Sequence, residues 1–368
     1  MAGAKALVVQ SIKSPADVKI TEKDIPEATP GTAVVRVLAA GIGPAYGYLI
    51  SHEVPGFSFP VPSVFGGQAV GRVVSVGSDS VSLKEGQLVV IDPFTTARDD
   101  GDVEIIVGLM DGGDSKGRKL ANETWRDGYW QSHAVVPLEN AVPLDEEALV
   151  GKHGYDIEEL MMIPRLAVAY GAISGIDIKA GETVIVGPAT GQFGGSAVEV
   201  ASALGARVIA LGRNKEALAK LKSTIPRVET VVITGDVEKD AEAIQAFGLA
   251  DAFIDSTPQA LHSEPSHIKS AISSLRKRGR IALLGGLGGN ITIPYFLMVA
   301  KSLEMKGKLM YTRAEIRDLV KMIEVGTLKI GKGAGHQVIG KFKLEDYEAA
   351  FETAAKSTAW GSSVLFTP

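Results

Sequence analysis

The 368-residue sequence contains no cysteine. This excludes disulfide bonds and any zinc site built from thiolates. The charges nearly balance, with 38 Lys and Arg against 43 Asp and Glu, so there is no electrostatic basis for binding nucleic acid. The longest apolar stretch, 160–173, is interrupted by Pro164 and Arg165 and is too short to cross a bilayer.

The first residues also lack the long apolar core and the cleavage site of a signal peptide. We therefore expect a cytoplasmic protein that has neither nucleic acid nor membrane as a partner. Among the 6 histidines, His262 and His267 are the closest pair. Their spacing does not place them on one helical face, so we expect both on the surface and away from any metal.

The length suits two domains, and a hydrophobic content of 45% allows sizeable cores. The first part is mostly β, with short β-branched runs separated by Gly and Pro, followed by a polar, glycine-rich lobe at 99–128 that we expect to be irregular. From about residue 160, strand-like and helix-like runs alternate, which predicts an α/β fold with a parallel sheet. The strands predicted for this sheet are 183–187, 207–211, 230–233, 252–255, 280–284 and 302–310.

A glycine-rich turn joins the first of these strands to the helical pattern that begins at Phe193. Glycines let the backbone approach a pyrophosphate, and the helix N-terminus offers free N–H groups and partial positive charge. A second strand follows about 20 residues later, as a dinucleotide-binding unit requires. The candidate cofactor-binding residues of this turn are Gly187, Ala189, Thr190, Gly191, Gln192, Phe193 and Gly194.

The second strand ends in Gly212, Arg213 and Asn214, where NAD-binding folds usually carry Asp or Glu. A carboxylate repels the 2′-phosphate of NADP, whereas arginine accommodates it. The pattern therefore favours NADPH over NADH, unless Arg213 is simply a solvated surface residue. After the predicted strand 280–284, further candidate cofactor contacts are Gly285, Gly286 and Leu287.

A longer segment, Phe-Gly-Gly-Gln-Ala-Val-Gly-Arg-Val-Val-Ser-Val-Gly at 65–77, precedes Lys-Glu-Gly-Gln-Leu-Val-Val at 84–90. Together with the glycine-rich turn, it resembles the medium-chain dehydrogenase/reductase superfamily. The resemblance implies a GroES-like β-rich catalytic domain (1–163), a Rossmann NADP-binding domain with a six-stranded doubly wound parallel sheet (164–311), and a C-terminal segment (312–368) that returns to the catalytic domain. It places the active site in the cleft between the domains.

The departures from the zinc-dependent members concern their metal ligands. Gly43 stands where they carry Cys, Gly67 where they carry His, and Pro164 near the third ligand. The lobe 99–128 lacks the four cysteines of their structural zinc site. The resemblance is therefore to the zinc-independent, quinone oxidoreductase-like members, and we expect no catalytic metal.

Those members have a proline one place after the lost ligand and a tyrosine four places further, which Pro44 and Tyr48 match. In that alignment Tyr48 points into the substrate cleft, and Tyr46 is a neighbouring candidate donor. The alternative is that Tyr48 does not contact the substrate and is a packing residue under the cofactor. Phe94, Trp125, Tyr129 and Trp130 are candidates either for pocket walls or for local core.

Without a metal, the protein has only hydrogen bonds with which to stabilise a developing oxyanion, and one such donor contributes about 3–4 kcal/mol. This favours hydride transfer to activated acceptors such as enones, alkenals and quinones. Reduction of isolated ketones, aldehydes or imines is an alternative, and a non-catalytic dinucleotide-binding protein is another. The resemblance also suggests a homodimer formed through the edge strand 302–310, although Glu304 and Lys306 could protect that edge from pairing.

Overall fold

The computed structural model describes residues 3–258 and 264–368. Its strands are β1 (Ala4–Ser11), β2 (Asp17–Lys23), β3 (Thr32–Gly41), β4 (Ser63–Val64), β5 (Ala69–Val76), β6 (Leu88–Ile91), β7 (Phe94–Thr96), β8 (Glu104–Ile106), β9 (His133–Pro137), β10 (Ala141–Pro143), β11 (Thr183–Gly187), β12 (Arg207–Gly212), β13 (Val228–Val232), β14 (Ala250–Asp255), β15 (Leu275–Leu283), β16 (Glu304–Gly307), β17 (Gln337–Phe342) and β18 (Ser362–Phe366).

The α-helices are α1 (Tyr46–Leu49), α2 (Ser115–Glu123), α3 (Ile163–Gly175), α4 (Gln192–Ala203), α5 (Lys215–Thr224), α6 (Val237–Gln245), α7 (Ser266–Ser273), α8 (Tyr295–Lys301), α9 (Arg313–Glu324) and α10 (Tyr347–Lys356). Short 3₁₀ turns are Leu138–Asn140, Ile157–Met162, Lys332–Ala334 and Leu344–Asp346, and Glu147–Lys152 is a π-helical turn.

The β-rich part is organised around β3, which pairs with β5, β9 and β18. The main sheet runs in the order β10-β6-β5-β3-β18-β17, beside the sheet β2-β1-β4 and the hairpin β7-β8. Val35 and Val37 of β3 pack with Phe65 and Trp130 in one hydrophobic core. This is the GroES-like domain that the sequence predicts.

The second domain contains a six-stranded parallel sheet in the order β13-β12-β11-β14-β15-β16. Helices cover both faces of such a sheet, so its central strands are buried, as β14 is along its whole length, including Asp251 and Asp255. The strand order reverses between β11 and β14, and ligands of doubly wound sheets bind at this switch point. The predicted α/β fold, with its Rossmann sheet, is confirmed.

The C-terminal segment inserts β18 between β3 and β17 of the main sheet. Leu365 pairs with Gly41 and Phe366 with Ala40, while β17 runs parallel to β18. Residues 312–368 therefore add strands to the catalytic sheet as well as the helices α9 and α10. The domain boundaries drawn from the sequence remain a prediction, and α3 begins at Ile163, beside the first of them.

Two regions differ from the sequence-based expectation. The lobe 99–128 is not wholly irregular, because it contains α2, whose N-terminus is capped by the Asp114 carboxylate accepting from the Gly117 amide at 2.7 Å. The predicted strand 302–310 is shorter, because Ser302 and Met310 adopt left-handed backbone conformations at φ 49° and 52°. Among residues 3–258 and 264–368, no helix combines the length and the apolar character needed to cross a membrane.

Candidate active site

The glycine-rich turn lies between β11 and α4, as predicted, with Gly191 at the N-cap of α4. A side chain at position 194 would collide with the carbonyl oxygen of Pro188, so the turn closes this tightly only around glycine. Nothing lies within 4 Å of the position that a Cβ on Gly191 would take. The first N–H groups of α4 thus border an open space of the kind that holds a phosphate.

The C-terminal segment lies directly against this turn. The Trp360 amide donates to the Thr190 carbonyl at 3.0 Å, and Gly191 forms an isolated bridge with Ala359. The Gln192 carboxamide donates to the Ser357 carbonyl at 2.7 Å. The turn that would hold the cofactor is therefore bonded to the segment that completes the catalytic sheet.

The end of β12 lies beside the turn. A Cβ on Gly212 would approach Thr190 Cγ2 to 2.8 Å, so glycine keeps this corner clear. Arg213 is exposed. The Asn214 carboxamide oxygen accepts from the amides of Glu216 and Ala217, both at 3.0 Å, and so caps α5. The cofactor roles of Arg213 and Asn214 remain predictions.

Gly285, Gly286 and Leu287 follow β15 at the same edge of the sheet. The Gly286 amide donates to the Thr257 carbonyl at 2.9 Å. A Cβ on Gly285 would come within 2.5 Å of that carbonyl oxygen, which requires glycine there. These residues therefore border the crevice of the Rossmann domain, and their contacts with a cofactor remain a prediction.

The prediction that His267 is a surface residue is wrong. His267 is buried, and its Nε2 lies 3.2 Å from Thr257 Oγ1 and 3.3 Å from Asp255 Oδ1. Thr257 Oγ1 itself donates to Asp255 Oδ1 at 2.5 Å. The α7 sequence around His267 is short and polar enough to suggest exposure, but it packs over β14. His262 lies outside the described residues.

The positions where the sequence predicts the loss of metal ligands are closely packed. A Cβ on Gly43 would lie 2.7 Å from the ring of Tyr46, so this ring fills the space that a ligand at position 43 would need. A Cβ on Gly67 would lie 3.3 Å from the Val107 carbonyl oxygen. In the part of the chain that the structure describes, no three His, Cys, Asp or Glu side chains are arranged to bind a metal.

The two candidate tyrosines have different environments. Tyr46 packs edge-on against Phe65 at 5.3 Å between ring centroids, and burial raises the pKa of its hydroxyl to about 12. Tyr48 is 59% exposed and stacks on His52 at 4.2 Å. The catalytic role of either residue remains a prediction.

Of the four aromatic residues considered for pocket walls, Tyr129 and Trp130 are fully buried core residues. Trp130 contributes to the surroundings of Tyr46, at 6.1 Å between ring centroids.

Arg165 was not among the site residues predicted from the sequence. Arg165 follows Pro164 at the start of α3 and is buried, and its charge acts on Tyr46. The signal for it in the sequence is an arginine within the longest apolar stretch.

Comparison with known proteins gives two family matches. Residues 29–146 match the alcohol dehydrogenase GroES-like domain, and residues 193–325 match the zinc-binding dehydrogenase domain. The probable D-xylulose reductase A of Aspergillus niger is 26% identical over 344 residues, covering 91% of this chain and 90% of that protein. The L-threonine 3-dehydrogenase of Ruegeria pomeroyi is 24% identical over 348 residues, covering 94% and 95%.

Among solved structures, the crystal structure of AibC superimposes with a TM-score of 0.78 at 20% identity, over 100% of this chain and 96% of that one. This likeness concerns the fold. The whole length of the chain thus follows one two-domain architecture, while positions 43, 67 and 164 carry Gly, Gly and Pro.

Proposed function

Because the chain belongs to the medium-chain dehydrogenase/reductase superfamily of oxidoreductases, we propose that it is a zinc-independent, NADPH-dependent reductase of activated acceptors such as enones, alkenals and quinones. The observation that carries this proposal is the replacement of the metal-ligand positions by Gly43, Gly67 and Pro164, with the Tyr46 ring filling the space beside Gly43.

Acceptor chemistry follows from what the site can offer. Oxidation of a simple alcohol requires a stabilised alkoxide. A metal ion stabilises the alkoxide by several kcal/mol and lowers the pKa of the bound alcohol. The ligand positions here do not fit a zinc ion. Substrates that spread the developing charge over a conjugated system need less stabilisation, and hydrogen-bond donors can supply it.

In this proposal Tyr46 donates its hydroxyl proton in a hydrogen bond to the substrate oxygen. A pKa of about 12 keeps the phenol protonated at neutral pH, so that it acts as a donor throughout. The rings of Phe65 and Trp130 hold its ring in place. Tyr48, on the same helix but exposed, is the alternative donor.

In this proposal NADPH binds where the glycine-rich turn meets α4, and when bound it would supply the hydride. The α4 N-terminus and the turn would hold its diphosphate, because the space beside Gly191 is open while glycine at 194 lets the turn close tightly. Gly212 and Arg213 support a preference for NADPH, since the site lacks the acid that would repel a 2′-phosphate. The residues Gly285, Gly286 and Leu287 would approach the nicotinamide end.

The homodimer is likewise a proposal, and the surface around α8 supports it. Tyr295 is 78% exposed and Phe296 81%, with Val299 and Leu309 also exposed nearby in sequence. The short strand β16 is an edge strand of the Rossmann sheet and lies between these residues in sequence. A second copy pairing along β16 would cover both the edge and these apolar side chains.

The test is spectrophotometric NADPH consumption by the purified protein with 2-cyclohexenone, 2-hexenal and a benzoquinone, each compared with its saturated analogue where one exists. We expect turnover of the conjugated acceptors and much slower turnover of cyclohexanone and hexanal. Equal rates on the saturated carbonyls would indicate a carbonyl reductase. NADPH binding without turnover on any acceptor would indicate a non-catalytic dinucleotide-binding protein, and either result would replace the present proposal.

A further inference from the structure

Arg165 is a charged residue buried where the two domains meet. It lies in the first turn of α3, directly after Pro164, and only 8% of its surface is exposed. An arginine almost never becomes buried to this extent without a compensating partner. Its surroundings therefore decide what it does.

The protein compensates this charge only in part. Arg165 Nη1 donates to the Ser362 carbonyl at 3.0 Å and lies 3.9 Å from the Met162 sulfur. Among the described residues, no carboxylate oxygen lies within 4.0 Å of the guanidinium. Both contacts belong to Nη1, which leaves Nε and Nη2 for another acceptor. A buried cation without a direct ion pair is costly, so a purely structural role does not account for it.

Glu199 of α4 supplies a negative charge that acts on Arg165. Burial lowers the pKa of Arg165 to about 10, and the negative charge of Glu199 opposes that shift. The guanidinium therefore remains protonated at neutral pH. Glu199 is itself buried, and its Oε2 has no hydrogen-bond partner, while Oε1 lies 2.5 Å from His336 Nε2.

His336 is fixed in one tautomer by its other nitrogen. The Gly331 amide donates to His336 Nδ1 at 3.1 Å, so Nδ1 is an acceptor and the ring proton lies on Nε2. His336 therefore donates to Glu199 and holds its carboxylate in place. The charge of this carboxylate helps to keep the guanidinium protonated, although the two groups form no direct ion pair.

Tyr46 lies near Arg165, in the region left by the lost metal ligands. The positive charge of Arg165 acts to lower the pKa of Tyr46, which burial raises. The hydroxyl that we propose as donor and the guanidinium thus act on the same region. Position 164, beside Arg165, is where the third metal ligand of the zinc-dependent relatives falls.

We propose that Arg165 is a catalytic cation: its guanidinium stabilises the negative oxygen that develops on the substrate, in the role that a metal would otherwise have. This inference rests on the proposed function and adds a residue to it. In enone reduction, the acceptor carbon gains two electrons and one hydrogen from NADPH, and the displaced π pair moves to the carbonyl oxygen. A solvent proton then completes the saturated ketone, leaving NADP⁺.

The cofactor diphosphate is the other anion that Arg165 could bind. Gln192, the first residue of α4, donates to the same Ser362 carbonyl oxygen at 3.3 Å, so the phosphate-binding end of α4 is nearby. We favour the substrate oxygen as the anion that Arg165 binds, because Tyr46, the proposed hydrogen-bond donor to that oxygen, lies beside Gly43, one of the lost ligand positions. Cofactor affinity and turnover separate these two sources.

The test compares Arg165→Met, Arg165→Lys and the control Arg72→Met, whose arginine pairs with Glu146 in the β-rich domain. For each protein, turnover of 2-cyclohexenone, the Kd for NADPH and the melting temperature are measured. We expect Arg165→Met to lower kcat by about 10²-fold, as loss of an oxyanion-stabilising group does. We also expect Arg165→Lys to restore part of it, with the NADPH Kd changed less than about threefold.

A second measurement does not depend on turnover. 4-Nitrophenol is titrated spectroscopically in the complex of each protein with NADP⁺, because its phenolate mimics a developing oxyanion. Wild type is expected to favour the bound phenolate over the phenol by about tenfold or more relative to Arg165→Met, as a nearby opposite charge requires. Arg165→Met also removes the hydrogen bond to the Ser362 carbonyl and the positive charge that faces Glu199, so its melting temperature is expected to fall, and all assays are made below it.

The outcomes are distinguishable. If wild type reduces no acceptor but still favours the phenolate through Arg165, the proposed function fails and the oxyanion site stands. Unchanged kcat in Arg165→Met, or an unchanged phenolate titration, would overturn the role of Arg165. A rise in the NADPH Kd that accounts for the lost activity would mean that Arg165 binds the cofactor diphosphate. Unfolding of both Arg165 variants would mean that Arg165 is required for stability. Each of these results also overturns it.

Discussion

The hydroxyl of Tyr311 donates a 3.0 Å hydrogen bond to Asp92 Oδ1, joining the end of the Rossmann segment to the catalytic domain. Both side chains are buried. The Phe94 amide also donates to Asp92 Oδ1, at 2.9 Å. Burial nevertheless outweighs these bonds and raises the pKa of Asp92 to about 6.

Asp92→Asn should therefore reduce the pH dependence of stability. The pKa of Asp92 is raised on folding, so its contribution is fully present below its unfolded value of 3.8 and is lost as pH rises through about 6. The amide keeps an oxygen for Tyr311 and Phe94 but cannot ionise. We expect the free energy of unfolding of the variant, relative to that of wild type, to rise by up to about 2–3 kcal/mol from pH 4 to pH 8. Urea unfolding at both pH values measures this, and a difference that is the same at both would contradict it.

The purified protein should contain no stoichiometric zinc and should keep its activity in a chelator. The reason is that Gly43, Gly67 and Pro164 offer no ligand and that the Tyr46 ring fills the space beside Gly43. Elemental analysis and assays with and without EDTA are the measurements. About one zinc ion per chain, with activity lost on its removal, would show that a site exists elsewhere.

Arg213→Ala should weaken NADPH selectively. Loss of a charge-assisted contact with the 2′-phosphate costs about 1.5–3 kcal/mol, so the KM for NADPH should rise about tenfold or more. The KM for NADH should change little. Arg213→Lys is the matched control, since it keeps the positive charge and should retain most of the preference. An equal effect of Arg213→Ala on both cofactors would mean that Arg213 does not contact the phosphate.

Tyr46→Phe and Tyr48→Phe form a pair that identifies the hydroxyl donor. Each change removes one hydroxyl and keeps the ring, so packing should survive. We expect Tyr46→Phe to lower kcat by about 10²-fold with an unchanged NADPH Kd, and Tyr48→Phe to have a small effect. The reverse pattern would return the role to Tyr48. Near-normal turnover in both variants would exclude a tyrosine donor.

Phe296→Glu should convert a homodimer into a monomer. It places a charge within the exposed apolar surface formed by Tyr295, Phe296 and Val299, which a second copy would bury. Sedimentation velocity of the wild type and the variant measures the change. The control is Phe193→Glu, which introduces the same charge at another exposed phenylalanine, at the glycine-rich turn, and should leave the association state unchanged. A monomeric wild type would contradict the proposal directly.

Much of the Rossmann sheet could be predicted because its strands are continuous apolar runs bounded by glycine or polar residues. The prediction of 183–187 agrees with β11, and that of 207–211 falls one residue short of β12. The strands of the C-terminal segment could not be predicted in the same way. β17 alternates exposed and half-buried residues, and it is ordered by pairing with β18 rather than by its own pattern.

The candidate site was only partly predictable, because its central residues are distant in sequence. A glycine-rich turn is a local pattern and can be recognised as such. Arg165, Glu199 and His336 come together only through the packing of α3, α4 and the segment before β17. His267 shows the same limit, since its burial depends on Thr257 and Asp255 of another element.

The central position of β18 also bears on how the protein is made. The Rossmann strands β11 to β16 are contiguous in the chain and can pair as soon as residues 183–307 have been synthesised. The catalytic sheet can form its β3–β5 and β3–β9 pairs early, but it is completed only when Ser362–Phe366 takes its place between β3 and β17. The ribosome therefore delivers the nucleotide-binding domain in foldable form before the N-terminal domain can be completed. In this chain, the domain whose synthesis begins first is the last to be completed.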